Sequence, residues 1–278
     1  MPSATGTVTF TSDYGLRDAF VGVCHGVIAR IAPQVRVLDV SHGIPRHDVI
    51  TGATVLADCL PYLPQAVHLA VVDPGVGTGR RGVVVAAGSE PTLLVGPDNG
   101  LLLPAAERAG GVTAAWELRD PRFRLSGDAV TFDGRDVFAP AAAHLASGLD
   151  PAELGPPVPP AELVRLPALT AVVRPGLLAG AVVGIDTFGN VALTLRGEDL
   201  AAAGLREGDR VVVTAHPVRW PATVVRTFDE VRDRELGVLV DSFGRVAVVV
   251  KGGDAAVRLG LVAGDHREIT IRAAGPER

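Results

Sequence analysis

Short apolar runs that end in carboxylates or hydroxyls recur along the first half of the chain. In a strand-and-helix protein such positions gather reactive groups where strands end. The run 8–11 is followed by Ser12 and Asp13, and the run 35–40 leads into Ser41 and His42. The stretch 67–72 ends at Asp73 within VVDPGVG (71–77), and 92–95 ends in GPDNG (96–100). An ionised carboxylate only accepts hydrogen bonds, so acid-rich strand ends suit a ligand with vicinal hydroxyls or a positive charge. Asp and Asn are also ordinary turn residues, so the weight lies in their joint placement. A further segment, TFDGRD (131–136) followed by FAP (138–140), puts Asp133, Arg135 and Asp136 just before a helix, where Asp136 also suits a cap. In the second half, DTFGN (186–190) and DSFG (241–244) are turn-like with an unusual aromatic residue. A phenylalanine in a turn either staples into a core or offers a flat apolar face for an adenine-sized ring.

Other signatures fail. GTGRRG (77–82) has the spacing of a dinucleotide-binding loop, but it leads into GVVVAA (82–87), a strand pattern, where that loop must open a helix. The 7 histidines show no metal-ligand spacing, and Cys24 and Cys59 form neither a CxxC nor a disulfide framework; both suit core positions.

The elements that must position these groups alternate. Strand patterns are expected at 8–11, 35–40, 67–72, 82–87 and 92–95. Helices are expected at 18–31, 48–60 and 137–144, the first with Phe20, Val23, Cys24, Val27, Ile28 and Ile31 on one face, Asp18 as N-cap and Pro33 as stop. The near-continuous apolar run at 67–72 suits a strand covered on both faces. From residue 177 onward, short β-branched runs at 181–185, 210–214, 222–225, 237–240, 245–250 and 268–271 are separated by glycine-containing turns, as in a small barrel. The fold expected is an N-terminal α/β domain, with a central mostly parallel sheet between helices, plus a C-terminal small β-barrel. Its domains are 1–155 and 171–278, joined by a Pro-rich linker at 156–170 that begins in LGPPVPP (154–160).

The chain has 278 residues, 47% hydrophobic, with a net charge of −5 and 4% aromatic residues. That is enough to bury a sizeable core. It offers no basic stripe or stacking surface for nucleic acid. No apolar run reaches the roughly 18–20 residues that span a bilayer, and residues 1–11 lack a signal-peptide pattern. A cytoplasmic protein with no nucleic-acid or membrane partner is expected.

Read together, TSDYGLRD (11–18), DVSH (39–42), VVDPGVG (71–77), GPDNG (96–100), TFDGRD (131–136) with FAP (138–140), DTFGN (186–190) and DSFG (241–244) resemble the SAM hydroxide adenosyltransferase family, in order and over nearly the whole chain. Its relatives include the SAM-dependent fluorinase and chlorinase. The resemblance implies hydrolysis of S-adenosyl-L-methionine (SAM) at C5′–S, giving adenosine and L-methionine, with SAM as substrate and no cofactor or metal. It also implies a homotrimer with each site between the N-domain of one subunit and the C-domain of its neighbour. Asp13 matches the carboxylate that holds both ribose hydroxyls. Asp18, Asp186 and Ser242 match positions around the methionine end. Asn190 and Phe228 match groups flanking adenine, and the backbone near Gly252 its edge. Asp73 and Arg80 match two members of the water-activating set. The third member is a histidine in the family, and here it is Asp133.

Two alternatives follow from the same residues. A halogenase needs a site without a carboxylate aimed at the halide, and its relatives carry an uncharged residue where this chain has Asp73. A SAM- or adenosine-binding protein with weak or no catalysis is the reading that the change at Asp133 favours.

Overall fold

The computed structural model describes residues 4–90, 92–125 and 131–274. The chain divides into two compact units, 1–166 and 167–278. In the first, the strands are β1 (Thr7–Ser12), β2 (Arg36–Ser41), β3 (Val67–Val71), β4 (Gly82–Ala87), β5 (Thr92–Pro97) and β6 (Val112–Glu117). They form one sheet in the order β2-β1-β3-β5-β4-β6. β2, β1, β3 and β5 pair in parallel, while β4 runs against both β5 and β6. The helices are α1 (Phe20–Ile31), α2 (Val49–Cys59), α3 (Leu103–Arg108) and α4 (Ala139–Ala146).

Alternation along β1 explains the layering. Val8 and Phe10 face a core shared with Cys24 and Ile28 of α1 and Ala142 and Leu145 of α4. The opposite face of the sheet packs Ala70, Val83 and Val85 against Leu56 of α2 and Ala105 of α3. Helices therefore cover both faces, which is why β3 is apolar throughout apart from His68. That residue sits opposite Thr9 in the β1–β3 register, and its Nδ1 lies 2.8 Å from the Thr9 hydroxyl.

Several sequence expectations change in detail. Asp18 does not cap α1: the helix starts at Phe20, Ala19 occupies the cap position, and no side chain caps it. Asp48 does cap α2, accepting from the Thr51 amide at 3.0 Å. The third expected helix begins earlier, as a π-helical turn over Gly134–Phe138 that runs into α4. Asp136 lies inside that turn, paired with Arg135 at 2.7 Å, and so is not a cap. The proline-rich stretch expected as linker is in part laid on the first unit. Val158 and Leu163 are buried there, and the Val158 amide donates to Ala115 O. Proline removes amide donors, but the remaining amides and apolar side chains still pack.

The second unit contains β7 (Ala171–Arg174), β8 (Leu177–Ile185), β9 (Val191–Arg196), β10 (Arg210–Ala215), β11 (Val218–Val224), β12 (Leu236–Val240), β13 (Arg245–Val250) and β14 (Glu268–Ala273). Pairing of β14 with β8 closes β8-β9-β13-β12-β11-β10-β14 into a seven-stranded barrel, with β7 added on β8. Alternating residues such as Val191, Leu193 and Leu195 fill its interior. Two short helices, α5 (Gly197–Ala202) and α6 (Ala255–Leu259), connect strands. No helix among the described residues is long and apolar enough to cross a membrane.

Burial pushes the His68 imidazole down to about 4. Between pH 6.5 and 4 the unfolded chain therefore binds a proton at His68 that the folded chain does not. Stability should fall as pH drops through that window, by up to about 1.4 kcal/mol per pH unit. Urea unfolding from pH 7 to 4.5 should show this slope, and His68→Gln should flatten it; an unchanged slope in the variant would refute the assignment.

Candidate active site

The ends of β1 and β3 and the turn before α4 bring Asp13, Tyr14, Asp73, Arg80 and Asp133 into one neighbourhood of the first unit. β1 and β3 are adjacent, and the Asp13 amide donates to Val71 O at 3.4 Å. Asp73 follows β3 and Arg80 precedes β4, so the loop between them returns Arg80 onto Asp73. Arg80 donates through Nε to Asp73 Oδ1 at 3.1 Å and through Nη2 to Asp73 Oδ2 at 2.5 Å. The same Nη2 reaches Asp133 Oδ2 at 2.6 Å. The Gly75 amide adds a third donor to Asp73 at 3.2 Å. Beneath this fork, the Phe138 ring centroid lies 5.2 Å from the guanidinium carbon. Asp133 precedes and Phe138 closes one π-helical turn, a local geometry frequent at functional sites.

Exposure separates the two carboxylates. The side chain of Asp73 is 6% exposed and that of Arg80 9%, against 21% for Asp133. One cation thus serves two anions, and Asp133 is the one that solvent or a ligand reaches. Burial raises the Asp73 carboxyl above its ordinary range, and the Asp133 charge adds to this. Arg80 and the Gly75 amide pull the other way without cancelling it. Arg80 and Asp133 also line a cavity of about 390 Å³ with Thr78, Glu117 and Arg124.

Tyr14 is a member that sequence reasoning did not single out. Its ring packs edge-on against Phe10 and Phe132, with centroids 6.3 and 5.6 Å apart. Its hydroxyl lies against the bare Cα of Gly134, where a methyl group would collide with it. Burial, reinforced by Cys24 and by the charges of Asp13, Asp73 and Asp133, pushes the phenol well above its ordinary range, so it stays a hydrogen-bond donor. The signal in the sequence was only its place inside TSDYG. Asp13, partly buried, accepts from the His47 amide at 2.9 Å. Asp18 is exposed, on the segment before α1.

In the second unit the two aspartate–phenylalanine turns have one design. Asp186 Oδ1 accepts from the Phe188 and Asn190 amides, both at 2.9 Å, and Oδ2 accepts from the Asn190 side chain at 2.8 Å. Asp241 Oδ1 accepts from the Phe243 and Arg245 amides at 2.8 and 2.9 Å. Neither turn phenylalanine is stapled into the barrel: Phe188 is 77% and Phe243 42% exposed. Gly189 has φ of +80°, and a side chain there would strike the Asp254 carboxylate. That close approach ties the 186–190 turn to the 251–256 segment, where the Ala256 amide donates to Gly189 O. Lys251 Nζ in turn reaches Asp229 Oδ1 at 2.9 Å, next to Phe228, which is half-exposed. Asp186, Asn190, Phe228 and Gly252 therefore gather at one end of the barrel. Ser242 does not join them. β9 and β13 are antiparallel, with Val191 opposite Val248, so the turn carrying Ser242 lies at the other end of β13.

The chain thus joins an α/β unit, with two aspartates bridged by an arginine, to a small closed barrel. The chain belongs to the SAM hydroxide adenosyltransferase family: the N-terminal domain of that family matches residues 8–155 and the C-terminal domain residues 180–268. It is 51% identical over 268 residues to an (R)-S-adenosyl-L-methionine hydrolase of Salinispora tropica, covering 96% of this chain and 98% of that protein. A fluorinase of an Actinoplanes species is more distant, 29% identical over 222 residues, covering 71% of this chain and 74% of that one. The crystal structure of an uncharacterized conserved protein from Thermotoga maritima matches with a TM-score of 0.87 at 33% identity, covering 95% of this chain and 99% of that chain.

Removing Arg80 leaves Asp73 buried beside a second carboxylate without a cation. Arg80→Met should lower the unfolding free energy by about 3–5 kcal/mol, and adding Asp73→Asn should restore much of it. Arg122→Met, which breaks an exposed pair with Asp120, should change nothing measurable. Equal effects of Arg80→Met and Arg122→Met in urea unfolding would refute this account of the fork.

Proposed function

We propose that this chain hydrolyses SAM at C5′–S with an activated water, releasing adenosine and L-methionine. The observation that carries this reading is the Asp73–Arg80–Asp133 constellation, where one arginine holds together a carboxylate that follows β3 and one that precedes the π-helical turn. The sulfur of SAM departs as a neutral thioether, so no acid is needed there. The demand falls on the nucleophile, which must be aligned with the C5′–S axis and relieved of a proton. Alignment alone contributes about 7–11 kcal/mol in favourable intramolecular cases.

Arg80 is already engaged by two carboxylates, so we assign it to holding Asp73 and Asp133 in place. Asp73 orients the water and Asp133, the more accessible carboxylate, accepts its proton. The Tyr14 hydroxyl donates to the same water. Asp13 takes the ribose hydroxyls. Asn190, Phe228 and the backbone near Gly252 take adenine, a grouping supported by their common end of the barrel. Asp18 belongs to the methionine end. Asp186 is occupied by its own turn and acts by shaping it. Ser242 reaches the same ligand only if the ligand lies along β13. A homotrimer with sites completed by a neighbouring subunit, in the cytoplasm, belongs to this proposal; the free thiols of Cys24 and Cys59 suit a reducing compartment. Two carboxylates at the nucleophile position disfavour a halide, whose charge they repel.

Incubation of the purified chain with SAM should yield adenosine and methionine in equal amounts. Asp73→Asn should lower kcat by about 10²–10⁴-fold, and Tyr14→Phe by a smaller factor with KM little changed. With Asp73 required as the anion, the rate should fall on acidification, with an apparent pKa above the ordinary carboxylate value of about 3.9. Asp133→His should retain turnover. Tight SAM binding with no methionine released overnight would reject hydrolysis. 5′-Halo-adenosine as the main product in chloride or fluoride would favour the halogenase. Native mass spectrometry giving a monomer with full activity would reject the trimer.

A further inference from the structure

A second polar cluster in the first unit takes no part in the proposed reaction. Asp39 comes from β2, His42 from the residue after β2, and His25 from α1. His25 Nε2 lies 2.8 Å from Asp39 Oδ1, and His42 Nε2 lies 3.0 Å from that same oxygen. The three ligand-type atoms fall within 4.8 Å of one another. The His42 side chain is 3% exposed, while those of His25 and Asp39 are 35% and 42% exposed, so the cluster opens to solvent on one side.

The buried ring decides the chemistry. His42 Nδ1 lies 2.7 Å from Ser12 Oγ, held from the other side by the Tyr14 amide at 3.3 Å. His42 Nε2 is buried and makes no aligned hydrogen bond, although Asp39 Oδ1 is close. Buried polar atoms are rarely left so. In the tautomer that donates Nδ1–H to Ser12, the Nε2 lone pair faces a carboxylate lone pair, which a cation between them would relieve; in the other, Nε2–H points at Asp39 Oδ1 and a metal ion would take the place of that proton. A hydrogen-bonded outer partner on the other ring nitrogen is characteristic of metal-ligating histidines.

We propose that His25 Nε2, Asp39 Oδ1 and His42 Nε2 bind a divalent transition metal of the zinc class, with water as the fourth ligand. Two imidazoles and one carboxylate match the hardness of such an ion, and three protein ligands leave an open position. At metal–ligand distances of about 2.0–2.1 Å, tetrahedral ligands stand about 3.3 Å apart. The present spacings of 2.8 and 3.0 Å must then open by a few tenths of an ångström, which the half-exposed His25 and Asp39 permit. Neither residue belongs to the Asp73–Arg80–Asp133 set, so the proposal stands or falls independently of SAM hydrolysis.

The test uses the full chain, stripped with a chelator and dialysed, then titrated calorimetrically with Zn²⁺. We expect one tight equivalent per chain, and at least a tenfold loss of affinity in His25→Ala and in Asp39→Asn. Co²⁺ should give the visible absorption of a tetrahedral site in the native chain and lose it in both variants. Circular dichroism of the variants should be native, since both altered side chains are partly exposed. No saturable Zn²⁺ binding by the native chain, or unchanged affinity in folded variants, would overturn the site.

Discussion

The guanidinium of Arg80 grips Asp73 with two nitrogens and reaches Asp133 with one of them. Three separate segments meet through it: the end of β3, the start of β4 and the π-helical turn before α4. None of these carboxylates would hold its place by packing alone, because a buried anion without a partner is expelled or neutralised. The rest of the first unit serves this contact. Helices on both faces make β1 and β3 buried strands, so their polar ends are the places where the sheet meets solvent. Phe138 supports the guanidinium from below, and Gly134 leaves room for Tyr14 beside the pair.

The same contact sets the chemistry that this site suits. A lone arginine would attract an anion, a halide included. An arginine shared by two aspartates presents a net negative edge, which favours a water molecule that must lose a proton and a substrate that carries a positive sulfonium. Asp133 stands in that place as a hydrogen-bond acceptor held by Arg80.

Much of this was legible in the sequence. Asp13 and Asp73 stand where apolar runs stop, and period and composition were enough to place β1, β3 and six of the eight strands of the second unit, all but β7 and β9. β9 alternates cleanly yet follows directly on the DTFGN turn, so its start was hidden in the turn signal. Helices as short as α5 and α6 carry less than two turns of periodicity. Asp18 has the residue type of a cap, but capping depends on where the chain bends, which propensity does not fix. DTFGN and DSFG look alike and do fold alike, as aspartate-anchored turns. Their separation at opposite ends of β13 follows from the antiparallel pairing of β9 and β13, and that long-range pairing leaves no local mark. The His25–Asp39–His42 cluster was invisible for the same reason, since its members come from a helix and a neighbouring strand.

The central claim is that water, positioned by Asp73, Arg80 and Asp133, attacks C5′ of SAM. Turnover in oxygen-18 water, with mass analysis of the nucleoside, tests it most directly. The account predicts one heavy oxygen, located on the 5′-hydroxyl of adenosine and absent from methionine. Adenosine formed without label, or label carried by methionine, would contradict it.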